Sequence, residues 1–496
     1  MYPEEEVSEA EIYNKVSMIL KRGGYLLSIV STDERPIENA FTIRYFFKED
    51  GIKVLKLNTE SRFPSITSLC PSAKNYEREI RDMFGLVPEG HPDSRSLILY
   101  PENWDPSVHP LRKDYDGKKP EFKKYGTYKY KKVLGEGINE ILVGPIHAGI
   151  IEPGHFRFSL AGEAILQLEI RHFWKHRGIE KLCEGKNPEE VLKIANRISG
   201  DNAVNISLAY LNAVEPLLGI EVSRKVSYLR CVLAELERIW NHVRDLGWLF
   251  MDIGFPLPAQ HLFSLQEELM RLNKALVGHR FMFDAFSIGG VNMSMDKEKH
   301  QLINKILTSI EKEIKEAEEF ALETPSVRDR FETTGRIFKK TAMELSLCGV
   351  CARASGLSRD TRVEMPYLAY KETDMEIPVR EDGDVMARFM IRVKEIYQSV
   401  NLIRSFLENL PIENVHKVEQ TYPTPYSWNV GNAETPRGNA FFFIMLDKEG
   451  RIYRLKYTDP SFRNWPAIQY AVLGDIVADF PLVNKSMNLS YAGNDL

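Results

Sequence analysis

Apolar residues recur every three or four positions through VSRKVSYLRCVLAELERIWNHVRDLGWLFMDIG (222–254), where Leu229, Leu233, Leu236, Trp240 and Val243 predict one long helix. Charged or polar Glu235, Glu237, Arg238 and Asn241 fall between them. The same spacing predicts helices over 262–290, 296–323 and 382–410, and four long helices suffice for a bundle with a buried seam. The N-terminal part reads differently. A helical stretch over 8–22, opening at Ser8, precedes three runs, YLLSIVSTD, AFTIRYFFKED and GIKVLKLNTE, with the β-branched and aromatic content of strands. Helical spacing returns over 64–86, and near the C-terminus NAFFFIMLDKEGRIYRLKYTD (439–459) predicts a hairpin turning at Lys448–Gly450.

Between Val87 and Gly117 the chain fills with Pro, Gly, Asp and His, which hold no long regular element, and it reads as an extended segment wrapping over something. The pattern predicts an α+β organisation. A small N-terminal α/β domain covers 1–117, a basic, Gly-punctuated linker covers 118–138, and a large, mainly helical domain ending in a β-hairpin covers 139–496.

Charge narrows the function. With 27% charged residues and a net charge of -5, the chain lacks the basic surplus of a general nucleic-acid binder; the basic run over 118–132 reads as a solvated linker. No apolar run approaches the roughly 18–20 residues that cross a bilayer, and the N-terminus is acidic where a presequence would be basic. The expected location is the cytoplasm, peripheral on a membrane face through partner subunits. Five cysteines give no disulfide framework. Cys348 and Cys351 form a lone CxxC without the two further ligands that a tetrahedral thiolate site needs, and read as small buried residues.

The stretch from Gly144 to Asn202 concentrates the chemistry-bearing types. It opens GPIHAGIIEPGHFRF, continues HFWKHRGIEKLCEG, where Trp174, His176, Ile179 and Leu182 suggest a helix, and reaches ANRISGDN. His147, Glu152 and His155 lie among glycines and prolines, a composition that either holds side chains in a cleft or belongs to satisfied loop residues. Arg197 is either a site cation or half of a structural ion pair.

The stretches YEREIRDMFGL (76–86) and HPDSRSLILYPENWDPSVHPLRKDY (91–115) resemble the small hydrophilic subunit of respiratory complex I. GPIHAGIIEPGHFRF, HRGIEK (176–181), GHRFMFDAFSIGGV (278–291), ARASGLSRDTR (352–362), ETPRG (434–438) and PSFRNWPAIQYAVLGDIVADFPLVNKS (460–486) resemble the large subunit shared by complex I and the membrane-bound energy-converting [NiFe] hydrogenases. The EP after GPIH and the fusion of both segments resemble the hydrogenase and formate hydrogenlyase branch.

The departures from that family carry the functional expectation. Its hydrogenases hold nickel and iron with four thiolates, from motifs of the form RICGIC and DPCxSC. Here RISGDN and SMNLSYAGND put Ser199, Asn202, Ser490 and Gly493 at the ligand positions, and these are no substitute for soft thiolates. No metal is therefore expected. Complex I uses the equivalent space for a quinone headgroup, held by a tyrosine and a histidine; this chain has Gly200 at the first position and Ile151 or Glu152 near the second. The resemblance implies a cavity lined by Ser199, Gly200, Asp201, Asn202 and Ser490, with Glu152, His147, His155 and Arg197 as catalytic candidates and Glu152 as proton relay. It implies no cofactor on this chain itself, with a quinone as candidate ligand of the cavity and iron–sulfur clusters in partners. Those partners are an iron–sulfur small subunit, a ferredoxin-like subunit and membrane subunits of antiporter-like and proton-channel-like type. The expected function is coupling of electron transfer to ion or proton translocation. Quinone or sulfur-compound reduction, and a non-catalytic scaffold, stay open beside it. The chain stops at Leu496, just past the second motif, so no cleaved C-terminal extension is expected.

Overall fold

The structure is a computed structural model and describes residues 2–118, 121, 123–147, 151–412 and 423–496. The three expected N-terminal strands form as Tyr25–Asp33, Phe41–Lys48 and Ile52–Thr59, paired antiparallel in succession. A short strand, Glu4–Glu6, adds parallel to the last of them. Three glutamates carry no strand signal; they are held there by cations, Lys53 and Lys15 both pairing with Glu5. The strands Tyr25–Asp33 and Phe41–Lys48 are buried along their whole length because both faces of the sheet are covered. Ile29, Ile43, Tyr45 and Phe47 pack under the helices Ile12–Lys21 and Lys74–Phe84. Tyr25, Leu27, Val30 and Phe46 pack against Trp428, Phe441 and Phe443 of the C-terminal sheet, with the Phe46 and Phe441 rings 5.1 Å apart.

That C-terminal sheet has three antiparallel strands, Trp428–Thr435, Gly438–Leu446 and Ile452–Thr458, where the sequence predicts a hairpin. The additional strand, WNVGNAET, hides behind its asparagines. Asn429 donates to the Ala213 carbonyl at 3.1 Å, and Asn212 donates to the Asn432 carbonyl at 2.8 Å, tying the strand to the helix Ala203–Leu217.

The four long helices run Arg224–Asp252, Pro256–Val277, Lys297–Glu323 and Val385–Glu408. Ser223, Asp296 and Asp384 cap three of them by accepting the N–H of Val226, Lys299 and Ala387. The helix Arg224–Asp252 is enclosed on all sides, so Glu235, Glu237, Arg238, Asn241 and His242, which the spacing places on its polar side, are all fully buried. They survive burial by pairing. Arg353 donates to Glu395 at 2.8 Å and to Glu434 at 2.8 Å; His242 Nε2 donates to Glu395 at 2.9 Å; Arg362 bridges Glu235 and Asp360 at 3.1 and 2.7 Å. Burial pushes the Glu395 carboxyl up, yet Arg353 and His242 hold it well below the usual range.

Two further features frame the site. Ile138–Val143, His155–Ala161 and Ala164–Arg171 form a third, antiparallel sheet that the residue pattern does not announce. The helix expected across Trp174, His176, Ile179 and Leu182 shrinks to Ile179–Cys183. Upstream of it the backbone is drawn to the chain's C-terminal end instead: Lys175 N–H donates to Asp495 at 3.0 Å and the His176 ring donates to the Asp495 carbonyl at 2.7 Å.

The Pro-rich segment after Glu89 is irregular, and side chains of YEREIRDMF take the place of its missing backbone partners. Asp82 accepts from the N–H groups of Leu97 and Ile98 at 2.7 and 2.9 Å, and Arg78 donates to the carbonyls of Arg95 and Ser96. Tyr100 then donates to the His172 carbonyl at 2.6 Å, fastening the segment to the third sheet. Among the described residues, no helix is long and apolar enough to cross a membrane.

Candidate functional site

The loop between the first two strands of the third sheet carries GPIH and EPGH, and it closes on itself. His147 Nε2 lies 2.8 Å from the Gly154 carbonyl and His155 Nδ1 lies 3.2 Å from the Gly144 carbonyl. A carbonyl only accepts, so each ring nitrogen must donate, which fixes both tautomers. Gly144 has φ +77°, and a Cβ there would collide with the Gly154 oxygen; no other residue type fits this crossing. Both histidines thus brace the loop. Burial lowers the pKa of His155, keeping it neutral.

Glu152 leaves this loop toward the C-terminus. Its Oε2 accepts from the Ala492 N–H at 2.8 Å, and Oε1 lies 3.3 Å from Lys175 Nζ. The carboxylate is partly exposed, at 37% of its side-chain surface. Arg197, expected beside it, is elsewhere: it forms an exposed pair with Asp284 at 2.6 Å and lies over the Phe283 ring. Besides Lys175, Arg177 belongs to this group: its guanidinium donates to the carbonyls of Ile198 and Ala492 at 2.8 and 2.9 Å, and its charge feels Glu152. Asp495 belongs to the same group. Burial pushes its carboxyl up to about 6, with the charge of Glu152 adding to the effect.

The two motif remnants, 291 positions apart at Ser199 and Ser490, meet. Ser199 Oγ lies 2.9 Å from Ser490 Oγ and donates to Asp201 at 2.9 Å; Gly493 N–H donates to Ser490 Oγ at 2.9 Å. Asp201 is clamped by Arg437 at 2.6 Å and Arg244 at 3.0 Å, which hold its carboxyl far below the usual range against the effect of burial. Gly200 lies between these anchored residues, and a Cβ there would stand 3.7 Å from the Phe283 ring. Asn202 is buried, and neither end of its amide finds a partner among the described residues.

A [NiFe] centre does not fit here. Two hydroxyls, an amide and a glycine offer no soft donor, and a Cβ on Gly493 would collide with Asp459 Oδ2, so the fourth position has no room for a side chain. Cys348 and Cys351 do not help. Both are buried, and burial pushes the Cys348 thiol up to about 11.

Sequence reasoning missed Lys175, Arg177, Arg437 and Asp495 as members of this group. Arg177 and Arg437 lie inside HRGIEK and ETPRG, which offered a signal. Lys175 and Asp495 also lie in quoted stretches, but what singles out Asp495 is a contact with the Lys175 N–H across 320 positions.

Comparison with known proteins shows residues 6–121 matching the family described as "Respiratory-chain NADH dehydrogenase, 30 Kd subunit" and residues 252–430 and 412–495 matching "Respiratory-chain NADH dehydrogenase, 49 Kd subunit". The chain is 32% identical over 487 residues to formate hydrogenlyase subunit 5 of Escherichia coli (strain K12), covering 96% of this chain and 85% of that protein. It is 32% identical to hydrogenase-4 component G of the same organism, covering 95% and 84%. With the fused C/D component of NADH-quinone oxidoreductase of Azotobacter vinelandii (strain DJ) it shares 28% identity, covering 86% and 79%. A polypeptide in the structure of the membrane-bound sulfane sulfur reductase, an archaeal respiratory membrane complex, superposes with a TM-score of 0.69 at 23% identity, covering 74% of this chain and 100% of that one, which shows a shared fold.

Proposed function

Because the chain belongs to the family that joins a 30-kDa-type to a 49-kDa-type NADH dehydrogenase subunit and includes formate hydrogenlyase subunit 5, we propose that it is the large subunit of a membrane-associated redox complex. In this reading it works without a metal of its own and couples electron transfer in its partners to proton or ion movement. The observation that carries the reading is the contact of Ser199 with Ser490. Three of the four positions that would hold a metal, Ser199, Ser490 and Gly493, bind one another instead.

What this chain's residues can do there is handle a proton and transmit a movement. Glu152 is a carboxylate at the protein surface, one N–H away from the short C-terminal helix Tyr491–Asp495 and one carbonyl away from Arg177. A proton taken up at Glu152 removes a charge that Lys175 and Arg177 face, and so loosens the hold on that helix. Glu152→Gln keeps the shape but not the exchangeable proton. In the assembled complex it is expected to slow proton-coupled turnover or ion transport at least about tenfold, with assembly intact. Wild-type transport in that variant would overturn the relay.

Large apolar side chains near the same stretch of sequence are exposed. Ile146 is 90% exposed, Ile151 is 42% and Trp174 is 39% exposed, and such a grouping marks a partner surface. We assign it to an iron–sulfur small subunit. A ferredoxin-like subunit and the antiporter-like and proton-channel-like membrane subunits would join through that partner and the bundle. The scaffold reading is favoured by one observation: Ser199, Asp201, Ser490 and Arg437 satisfy one another, leaving few free groups to grip a quinone or a sulfur compound. Titrating the complex with a quinone or polysulfide decides between them, since saturable binding lost in Ser199→Phe favours reduction at this site.

A further inference from the structure

A cavity of about 440 Å³, lined by neither Ser199 nor Ser490, lies at the seam between the N-terminal unit and the rest of the chain. Its walls are the start of the helix Lys74–Phe84, the irregular segment around Pro92–Tyr100, the strand Ala164–Arg171 and the helix Pro460–Ala471. Ligand pockets commonly fall in the range of roughly 300–1,000 Å³ and at such seams.

Charge in this cavity is unbalanced. Lys74, Arg78, Arg95, Lys131, Arg171 and Arg463 line it, against the two carboxylates Asp93 and Glu169. Both carboxylates are already occupied. Asp93 takes Arg95 at 2.7 Å, and Glu169 takes Arg95, the Tyr128 hydroxyl and the Lys131 N–H. Lys74 reaches Asp93 only at 3.7 Å; burial lowers its pKa, and the neighbouring charges of Lys131, Arg78 and Arg95 lower it further. Like charges gathered around one cavity repel one another until a counter-charge joins them.

Two wall residues also carry polar atoms that find no partner among the described residues. Arg463 is 4% exposed; its Nε and Nη2 donate to the Ser346 carbonyl, but Nη1 has no partner among the described residues. His172 is 7% exposed and neither ring nitrogen has a partner there; burial pushes its pKa down to about 3, so the ring is neutral and offers one donor and one acceptor. A buried guanidinium N–H without an acceptor is costly.

We propose that this seam cavity binds a phosphate-bearing anion. Cations approach from several walls, which suits the several oxygens and multiple charge of a phosphate better than the single plane and single charge of a carboxylate. The phosphate belongs either to a soluble phosphate ester or to the headgroup of an anionic lipid, and the cavity's chemistry is the same for both. Because both units contribute walls, the anion would also lock them together.

The test uses the full chain with inorganic pyrophosphate, and vesicles of phosphatidylglycerol or phosphatidylcholine. Lys74→Gln and Lys131→Gln, combined, remove two charges at the mouth and leave the partners of Arg463 and Arg78 intact. Saturable pyrophosphate binding that weakens at least about tenfold in the double variant, with an unchanged melting curve, establishes the soluble source. Binding to phosphatidylglycerol vesicles alone, weakened in the same way, establishes the lipid source. Binding of neither probe, or binding that the double variant leaves unchanged, overturns the site.

Discussion

Two polar regions of this molecule invite comparison, the charge network around Arg353 and Glu395 and the group around Glu152. In the first, Arg353, Glu395, Glu434, Asp360 and Arg362 are all at most 1% exposed and each is met by an opposite charge within hydrogen-bonding distance. In the second, a partly exposed carboxylate is held by one lysine and one backbone N–H. The first region is built to stay as it is, since any loss leaves a charge stranded in a low dielectric. The second is a partly exposed contact that water screens, so losing it costs little stability. Motifs feed both regions, since ARASGLSRDTR and ETPRG supply Arg353, Asp360, Arg362 and Glu434 to the first.

The comparison breaks first at Arg353. Arg353→Met strands Glu395 and Glu434, and chemical denaturation is expected to show a loss of about 3–5 kcal/mol. A loss below about 1 kcal/mol would mean that the network relaxes as easily as a surface group.

A smaller effect is expected at Asp495, where the sign depends on pH. Its folded pKa of about 6 lies above the ordinary aspartate value, so the folded state binds the proton more tightly than the unfolded state does. Below about pH 4 the buried carboxyl is neutral in both states and costs nothing. As pH rises through 4 to 6 the unfolded state loses its proton first, and the fold is progressively disfavoured. Asp495→Asn should therefore gain stability over the wild type across that window, reaching on the order of 2–3 kcal/mol above pH 6. Thermal melts of the two proteins at pH 4, 5, 6 and 7 read this directly, and parallel curves would sink it.

The smallest effect is expected at Arg197. Its pair with Asp284 is exposed on both sides, so Arg197→Ala should change stability by less than about 1 kcal/mol. It should also leave turnover of the assembled complex intact, since the guanidinium bonds to Asp284, Asn196 and Lys193 and the Arg197 carbonyl that Arg177 uses is kept. Loss of turnover would return Arg197 to the site.

Much of the architecture was legible in the residues themselves. Helical spacing places the helices Arg224–Asp252, Lys297–Glu323 and Val385–Glu408 within a few residues of their ends, because amphipathic periods and acidic or hydroxyl caps are local properties. The second helix starts at Pro256 and stops at Val277, earlier than the spacing suggests at both ends. Strands rich in Val, Ile, Tyr and Phe were visible for the same local reason; the strand Trp428–Thr435 was not, since its stability comes from asparagine contacts to a helix more than 200 positions away. The third sheet escaped because the proline and glycine content of GPIHAGIIEPGH reads as loop and hides the strands that flank it.

By itself the sequence determined the thiolate deficit, since hydroxyl, amide and hydrogen cannot act as soft ligands in any fold. It also determined the apolar periods that make helices and strands. Only the tertiary structure decided which polar groups meet. It brought Ser199 to Ser490, gave Glu152 to Lys175 rather than Arg197, and turned the polar side of the helix Arg224–Asp252 into a buried ion network. The reason is that a charge's role depends on its distance to other charges and on its access to water, and neither quantity is a property of neighbouring positions in a chain.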